Sequence, residues 1–391
     1  MSPFSAAPGP GPVAARRRPV GSLSGSPLRW GVLAAVVLVA LAADRLASGW
    51  LNAYQLHVLC ITGIAVIMAA SLNLVNGITG QFSLGHAGFM AVGAYAGAAL
   101  TVKWGQPWAI YLGHGTPQPV AAAASFVLAL LVAGLAAAGV GVVVGMPAAR
   151  LRGDYLAIAT LGFGEVVREL LLNAEAVGGR TGFGGIPQST SLAWVLALAA
   201  LTIIVLRNIL CSTHGRALLA VREDESAAMA QGIDVARYKV GAFAVSAFFA
   251  GLAGCLFAHR FCFIHPDNFG ALQSIEIVTT VVLGGMGSIT GSVAAALVLG
   301  PLPEVLKLAA DWAERASAAT GAGATAGPSA LLAAGLELKA HPEYLWIVYS
   351  LLLVGMMLLR PQGLMGDREV SLGMLRRLLP RPGGGEVGDG R

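Results

Sequence analysis

The stretch "VVLGGMGSITGS", Val281–Ser292, separates two apolar runs, Ser274–Leu283 and Ser288–Leu308. Glycine enters turns that other residues resist, so Gly284, Gly285 and Gly287 mark an interruption of regular structure. The first run is too short to cross a bilayer as a straight helix, which needs about 20 apolar residues. How these residues are read sets the number of crossings, and so the fold.

Composition supplies the solvent. The 391 residues are 56% hydrophobic and 12% charged, with a mean hydropathy of +0.73. A soluble domain is roughly a quarter charged. This chain cannot clothe itself in polar groups, and it reads as a polytopic membrane protein. The net charge of +5 lies largely at the ends of apolar segments. That is the pattern of topology control, not of nucleic-acid binding. Cys60, Cys211, Cys255 and Cys262 form no CxxC pair and lie in or beside apolar runs, as small core residues do. No metal site or cofactor is expected.

The candidate spans are Trp30–Ser48, Leu51–Leu74, Phe82–Val102, Val120–Met146, Tyr155–Leu172, Leu192–Leu210, Val240–Ala258, Ser274–Leu283, Ser288–Leu308 and Tyr344–Leu359. Residues 1–28, rich in Pro, Gly and Ser with Arg16–Arg18, read as a disordered cytoplasmic tail before an uncleaved first span. Arg150, Arg152 and the stretch 213–238 then fall inside, as does the basic tail 367–391 with Arg368, Arg376 and Arg377. Both termini inside demands an even number of passes. Parity holds only if Ser274–Leu283 counts as a crossing. Val281–Ser292 is therefore expected to be a break between a short helix and a longer one, inside the membrane, where neighbouring protein must satisfy the freed backbone. The fold expected is all-α, a transmembrane bundle of about 8–10 spans with broken or re-entrant helices, over residues 29–366. Ala313–Pro342 is expected to be an Ala/Gly-rich periplasmic loop.

The other informative stretch is "GRALLAVREDESAAMAQGIDVARYKV", Gly215–Val240. "EDESAAMAQG" has the marks of a short helix, Asp224–Gln231. Glu223, Asp224 and Glu225 stand at its N-terminal end, where carboxylates meet free N–H groups. Gly232 is its C-terminal cap, and Asp234 caps the next span. Ala228 and Met229 offer a small apolar centre, with Arg222 and the acids as a charged rim. A surface of that kind fits a cleft on a cytoplasmic partner, so this loop is read as a transmission helix. On this reading Ala228→Arg blocks docking, and Glu225→Ala costs about 0–1 kcal/mol.

Polar residues in apolar segments are costly and are read as functional by default. Asn73, Asn76, Gln81, Ser83 and His86 surround an expected re-entrant turn; together with Glu276, Thr279 and Thr280 they are the candidates for lining a translocation path. His86 alone reads more simply as a satisfied buried histidine, and Glu276 as a residue that holds the broken helix. Glu165 and Arg168 are spaced for an intrahelical pair. "GITGQFSLGHAGFMAVGAYAGA" (Gly77–Ala98) and "GGMGSITGSVAAALVLG" (Gly284–Gly300) echo each other as glycine turns opening apolar helices, a device of transporters built from repeats.

Five words carry a family resemblance: "SLNLVNGITGQFSLGHAGFMAVGAY" (Ser71–Tyr95), "RLRGDYLAIATLGFGEVVRELLLN" (Arg150–Asn173), "GRALLAVREDESAAMAQGID" (Gly215–Asp234), "SIEIVTTVVLGGMGSITGS" (Ser274–Ser292) and "LRPQGLMG" (Leu359–Gly366). With them the chain resembles the permease subunits of branched-chain amino acid ABC transporters, in the bacterial inner membrane. The resemblance implies a second permease subunit in a heterodimer, two cytoplasmic ATP-binding subunits and a periplasmic solute-binding protein. It implies that the Asp224–Gln231 helix couples to an ATPase. Ser226 and Met229 depart from the bulkier or acidic residues of the pattern. No GxxxxGK[ST] occurs, so ATP hydrolysis belongs to another subunit and the chain is not an enzyme. A urea, amide, sugar or nucleoside permease of the same class is the alternative. A secondary transporter would leave Glu223–Gly232 unexplained, and an intramembrane enzyme would need a nucleophile–base or metal constellation that these words do not contain.

Overall fold

A computed structural model describes residues 26–103, 118–151, 153–305 and scattered positions between 307 and 363. Most of these residues are helical. In chain order the helices are α1 (Ser26–Trp50), α2 (Ala53–Asn73), α3 (His86–Lys103), α4 (Gln118–Ala148), α5 (Asp154–Asn173), α6 (Leu192–Cys211), α7 (Thr213–Glu223), α8 (Glu225–Ala230), α9 (Val235–Phe261), α10 (Ala271–Gly284) and α11 (Ile289–Leu299). Residues 26–28, assigned to the tail from sequence, already belong to α1. The rest of that tail, the Ala313–Pro342 loop, the 367–391 tail and most of the Tyr344–Leu359 span lie outside the described residues.

Among the described residues, four helical stretches have the length and apolarity to cross a membrane by themselves: Ala53–Ile78, Ala122–Ala148, Leu192–Cys211 and Val235–Phe261. The other described spans are helical where expected, except that the third begins at His86 because Phe82–Gly85 run without helix. Of these, α5 carries Asp154, Glu165, Arg168 and Glu169, and α10 has only 14 residues. Ser288–Leu308 is not one regular helix. It stops at Leu299 and resumes after Pro301, whose ring and missing N–H disfavour a continuous turn.

The core forms around α9, which packs on α2, α3 and α4. Small residues make this approach close. A Cβ at Gly251 would stand 2.6 Å from the Ala133 carbonyl of α4, and one at Gly97 of α3 would stand 2.6 Å from Cys255 Sγ. Between apolar spans no water is expelled, so association depends on such backbone proximity. Cys60 and Cys255 are fully buried here. Outward, Leu38, Leu135, Val143, Ile158 and Leu170 are each more than half exposed. So large an apolar exterior belongs against lipid or another membrane chain. The protein is a multi-pass helical membrane protein.

At the end of the bundle remote from α7 and α8, Phe183–Gly184 pairs with Phe263–Ile264 as a two-stranded antiparallel ribbon. Beside it the expected Glu165–Arg168 pair forms, at 2.7 Å, and Arg168 also meets Asp267 at 2.6 Å. Glu165 has a second task. Its Oε1 accepts the Ala271 N–H at 3.0 Å, which caps α10 from a different helix.

Candidate functional site

Two helix breaks meet. The first interrupts α2: Leu74–Ile78 form a π-helical turn, and the chain then runs without helix from Gly80 to Gly85 before α3. Asn76 holds this segment in shape. Its Oδ1 accepts the Ser83 N–H at 3.1 Å, and its Nδ2 donates to the Ser83 carbonyl at 3.2 Å. Thr160 Oγ1 accepts from Leu84 N, and Ser274 Oγ accepts from Ala87 N. Irregular backbone among apolar spans requires such donors and acceptors from its neighbours.

The second break is the expected one. α10 ends at Gly284, Gly285 and Gly287 take φ of 107° and 95°, and Ser288 caps α11 by accepting the Gly291 N–H. These backbone angles fit glycine alone among ordinary residues. α10 and α11 fold back on one another so tightly that a Cβ at Gly284 would lie 2.6 Å from the Gly291 carbonyl.

The breaks are joined by a hydrogen bond from Gly287 N to Asn73 Oδ1, 2.9 Å. A Cβ at Gly77 would overlap both of these atoms. The two glycine words that echo in sequence are thus in contact in space. Buried around the first break are polar atoms that make no hydrogen bond among the described residues: Asn73 Nδ2, both side-chain ends of Gln81, and Ser83 Oγ. A buried polar group without a partner costs about 1–3 kcal/mol, so three such side chains in one segment set it apart from an ordinary core.

The other expected path residues fall differently. His86 is buried, with Nε2 2.9 Å from Ser71 Oγ. This is the satisfied core histidine that the sequence also allowed. Thr279 and Thr280 return their hydroxyls to the carbonyls of Ile275 and Glu276. Glu276 is half-buried on α10.

The charged loop folds as a capped short helix between spans. Asp224 Oδ1 accepts from the N–H groups of Ser226 and Ala227. At the other end Gly232 is left-handed, with Gly232 N donating to Met229 O and Ile233 N to Ala228 O. That is a Schellman ending. Asp234 Oδ1 accepts from Arg237 N and starts α9. Within this frame several assignments change. Glu223 ends α7 instead of opening α8. Ala228 is not an outward apolar centre; it is buried against Val221 and Val235, because the Schellman turn folds that face inward. Met229 is 52% exposed and remains available. Glu225 is no simple rim residue, since it takes the Lys239 ammonium at 2.5 Å, and Lys239 is 3% exposed. Arg222 is half-buried and turned toward the helix breaks.

Lys239 escaped the sequence reading. It stands in the quoted stretch with no role of its own, and nothing in its spacing announces a partner on a separate helix.

With the breaks and the loop located, the comparison with known proteins is direct. Residues 54–359 match the model of the permease component of the branched-chain amino acid transport system. The chain belongs to that family. The chain is 38% identical over 282 residues to the high-affinity branched-chain amino acid transport system permease protein LivM of Escherichia coli K12, covering 63% of this chain and 62% of that one. It thus spans less than two thirds of that relative's length. It is 32% identical over 152 residues to LivH, another permease protein of the same named system, from Salmonella typhimurium, covering 38% and 47%. A shorter match, 32% over 99 residues, covers 24% of this chain and 31% of the ribose import permease protein RbsC of Haemophilus influenzae. No solved structure matches the chain.

Proposed function

We propose that this permease is a membrane-spanning subunit of an ATP-driven importer of branched-chain amino acids. It works with a second permease subunit, two cytoplasmic ATP-binding subunits and a periplasmic solute-binding protein. Residues 213–238 and both termini face the cytoplasm, and Asn73, Gln81 and Ser83 belong to the translocation path. The observation that carries this reading is the charged loop. A loop that only set topology would need neither caps at both ends nor a buried ion pair. Here Asp224, the Gly232 turn, Asp234 and the Lys239–Glu225 bond fix α8 rigidly between two spans, with Met229, Ser226 and Ala227 outward. A rigid surface helix can transmit a push; a slack one cannot.

The test is Met229→Arg. Met229 is exposed, so the permease should reach the membrane in normal amount. Buried in a partner's cleft, the unpaired charge should cost several kcal/mol, two or more decades of affinity. Co-purification of the ATPase and leucine uptake should both collapse. Normal uptake at normal abundance would leave the loop as a topology signal only. Labelling of a cysteine at position 226 from outside the cell would overturn the orientation. The RbsC match favours a sugar as the second reading, and competition of leucine uptake by leucine, isoleucine, valine and ribose separates the two.

A further inference from the structure

Arg222 lies where the cytoplasmic loop meets the two helix breaks. It sits in the last turn of α7, two residues before the Asp224 cap. Its stem crosses the first break: a Cβ at Gly80, where φ is +72°, would stand 3.1 Å from Arg222 Cγ. Its guanidinium crosses the second: a Cβ at Gly287 would stand 2.7 Å from Arg222 Nη1. One side chain therefore bears on both turns, at the residue that also donates to Asn73. Both positions are glycine, and glycine leaves the room the arginine occupies. Gly363, near the end of the described chain, closes on the same break, 2.7 Å from Gly285 N by the same measure.

The surroundings make this contact mechanical. The end of α7, α8 and the start of α9 are bound into one body by the Val221–Ala228–Val235 cluster and the Lys239–Glu225 pair. Arg222 projects from that body. It makes no ion pair or hydrogen bond among the described residues, so its position is set by packing on the glycine turns and by the loop that carries it. Movement of the loop must drag or push its side chain across Gly80 and Gly287. Beside Gly80 is Gln81, whose buried amide has no partner, and beyond it Ser83. The side chains of Gln81 and Ser83 lose no hydrogen bond when this segment shifts, because they make none among the described residues.

The geometry points to Arg222 as the positioning residue that converts displacement of the cytoplasmic loop into displacement of the two glycine breaks, Gly77–Ser83 and Gly284–Ser288. This rests on the permease reading above and adds a residue to it. Arg222 acts through the breaks and does not form the docking face.

The test uses the complete transporter, with partner permease, ATP-binding subunits and binding protein, in proteoliposomes. The readouts are subunit co-purification, ATP hydrolysis and leucine uptake per ATP. Arg222→Ala should assemble and hydrolyse ATP, while uptake per ATP falls at least about tenfold, the scale of a typical coupling between sites. Arg222→Lys keeps the aliphatic stem over Gly80 but lacks the planar head over Gly287, and should recover part of the loss. In a cysteine-free background, Ser83→Cys should react with a small thiol reagent at a rate that depends on bound nucleotide, and Arg222→Ala should abolish that dependence. Unchanged uptake per ATP in Arg222→Ala would overturn the proposal. So would loss of the ATPase on purification, which would make Arg222 a docking residue. If Arg222→Ala does not reach the membrane, Arg222→Lys and Arg222→Met are read by the same criteria. Absence of ATP-driven uptake in the wild type would instead sink the permease reading.

Discussion

Gly77→Ala asks whether the two breaks are interlocked or merely adjacent. The added methyl group would overlap Asn73 Oδ1 and Gly287 N, the acceptor and donor of the 2.9 Å bond joining the breaks. Prising them apart leaves a buried N–H without its acceptor, costing about 1–3 kcal/mol. Displacing the packed turns costs a further 1–3 kcal/mol, roughly. Alanine in place of glycine in helical backbone returns up to about 1 kcal/mol. The net loss is roughly 1–6 kcal/mol, seen as a melting temperature lower by several degrees in detergent-solubilised protein. Gly162→Ala on α5 is the control, since a Cβ there meets nothing within 4 Å; it should be neutral or slightly stabilising. Asn73→Ala removes one of the two atoms in the way, so the loss from Gly77→Ala should shrink in that background by well over the ~0.5 kcal/mol expected of independent sites. Equal melting of Gly77→Ala and Gly162→Ala, or strict additivity with Asn73→Ala, would refute the interlock.

Glu225→Ala should cost about 1–3 kcal/mol, more than an exposed rim charge, because it strands the Lys239 ammonium, which is 3% exposed. Lys239→Met should restore much of that loss in thermal melts of the double variant. Glu165→Ala removes the cap on α10 at Ala271 N and one partner of Arg168, and should cost about 1–2 kcal/mol in the same assay. Glu165→Gln, which keeps an acceptor oxygen, should recover most of the cap.

The helices and their breaks were legible because each is written in local chemistry. Length and apolarity mark α2, α4, α6 and α9. Gly285 and Gly287 mark the second break, because few other residues tolerate their backbone angles. Asp224 and Gly232 mark α8, and Asp234 marks the start of α9, because a cap acts on residues only a few positions away. The Glu165–Arg168 pair is one helical turn. In each case cause and effect lie within a few residues of each other, where a sequence can be read directly.

What escaped was the direction each side chain takes once the segments pack. From spacing alone, Ala228 and Met229 are equivalent small apolar residues. The Schellman turn at Gly232 rotates one against Val221 and Val235 and leaves the other in the open. Arg222 and Glu225 read as a charged rim and Lys239 carries no reading, yet Arg222 lies over two glycine turns and the other two pair with each other. The same limit divides the polar residues of the path. His86 finds Ser71, fifteen positions earlier, and is satisfied. The side chains of Gln81 and Ser83 find no partner among the described residues. Nothing in their residue types separates these outcomes. Burial decides the question only together with the partner that packing delivers: a buried polar side chain with a partner supports the fold, and one without it weighs against the conformation that holds it. The first break therefore holds buried polar side chains that hydrogen bonding leaves unmet among the described residues, and it is one of the two segments that Arg222 touches.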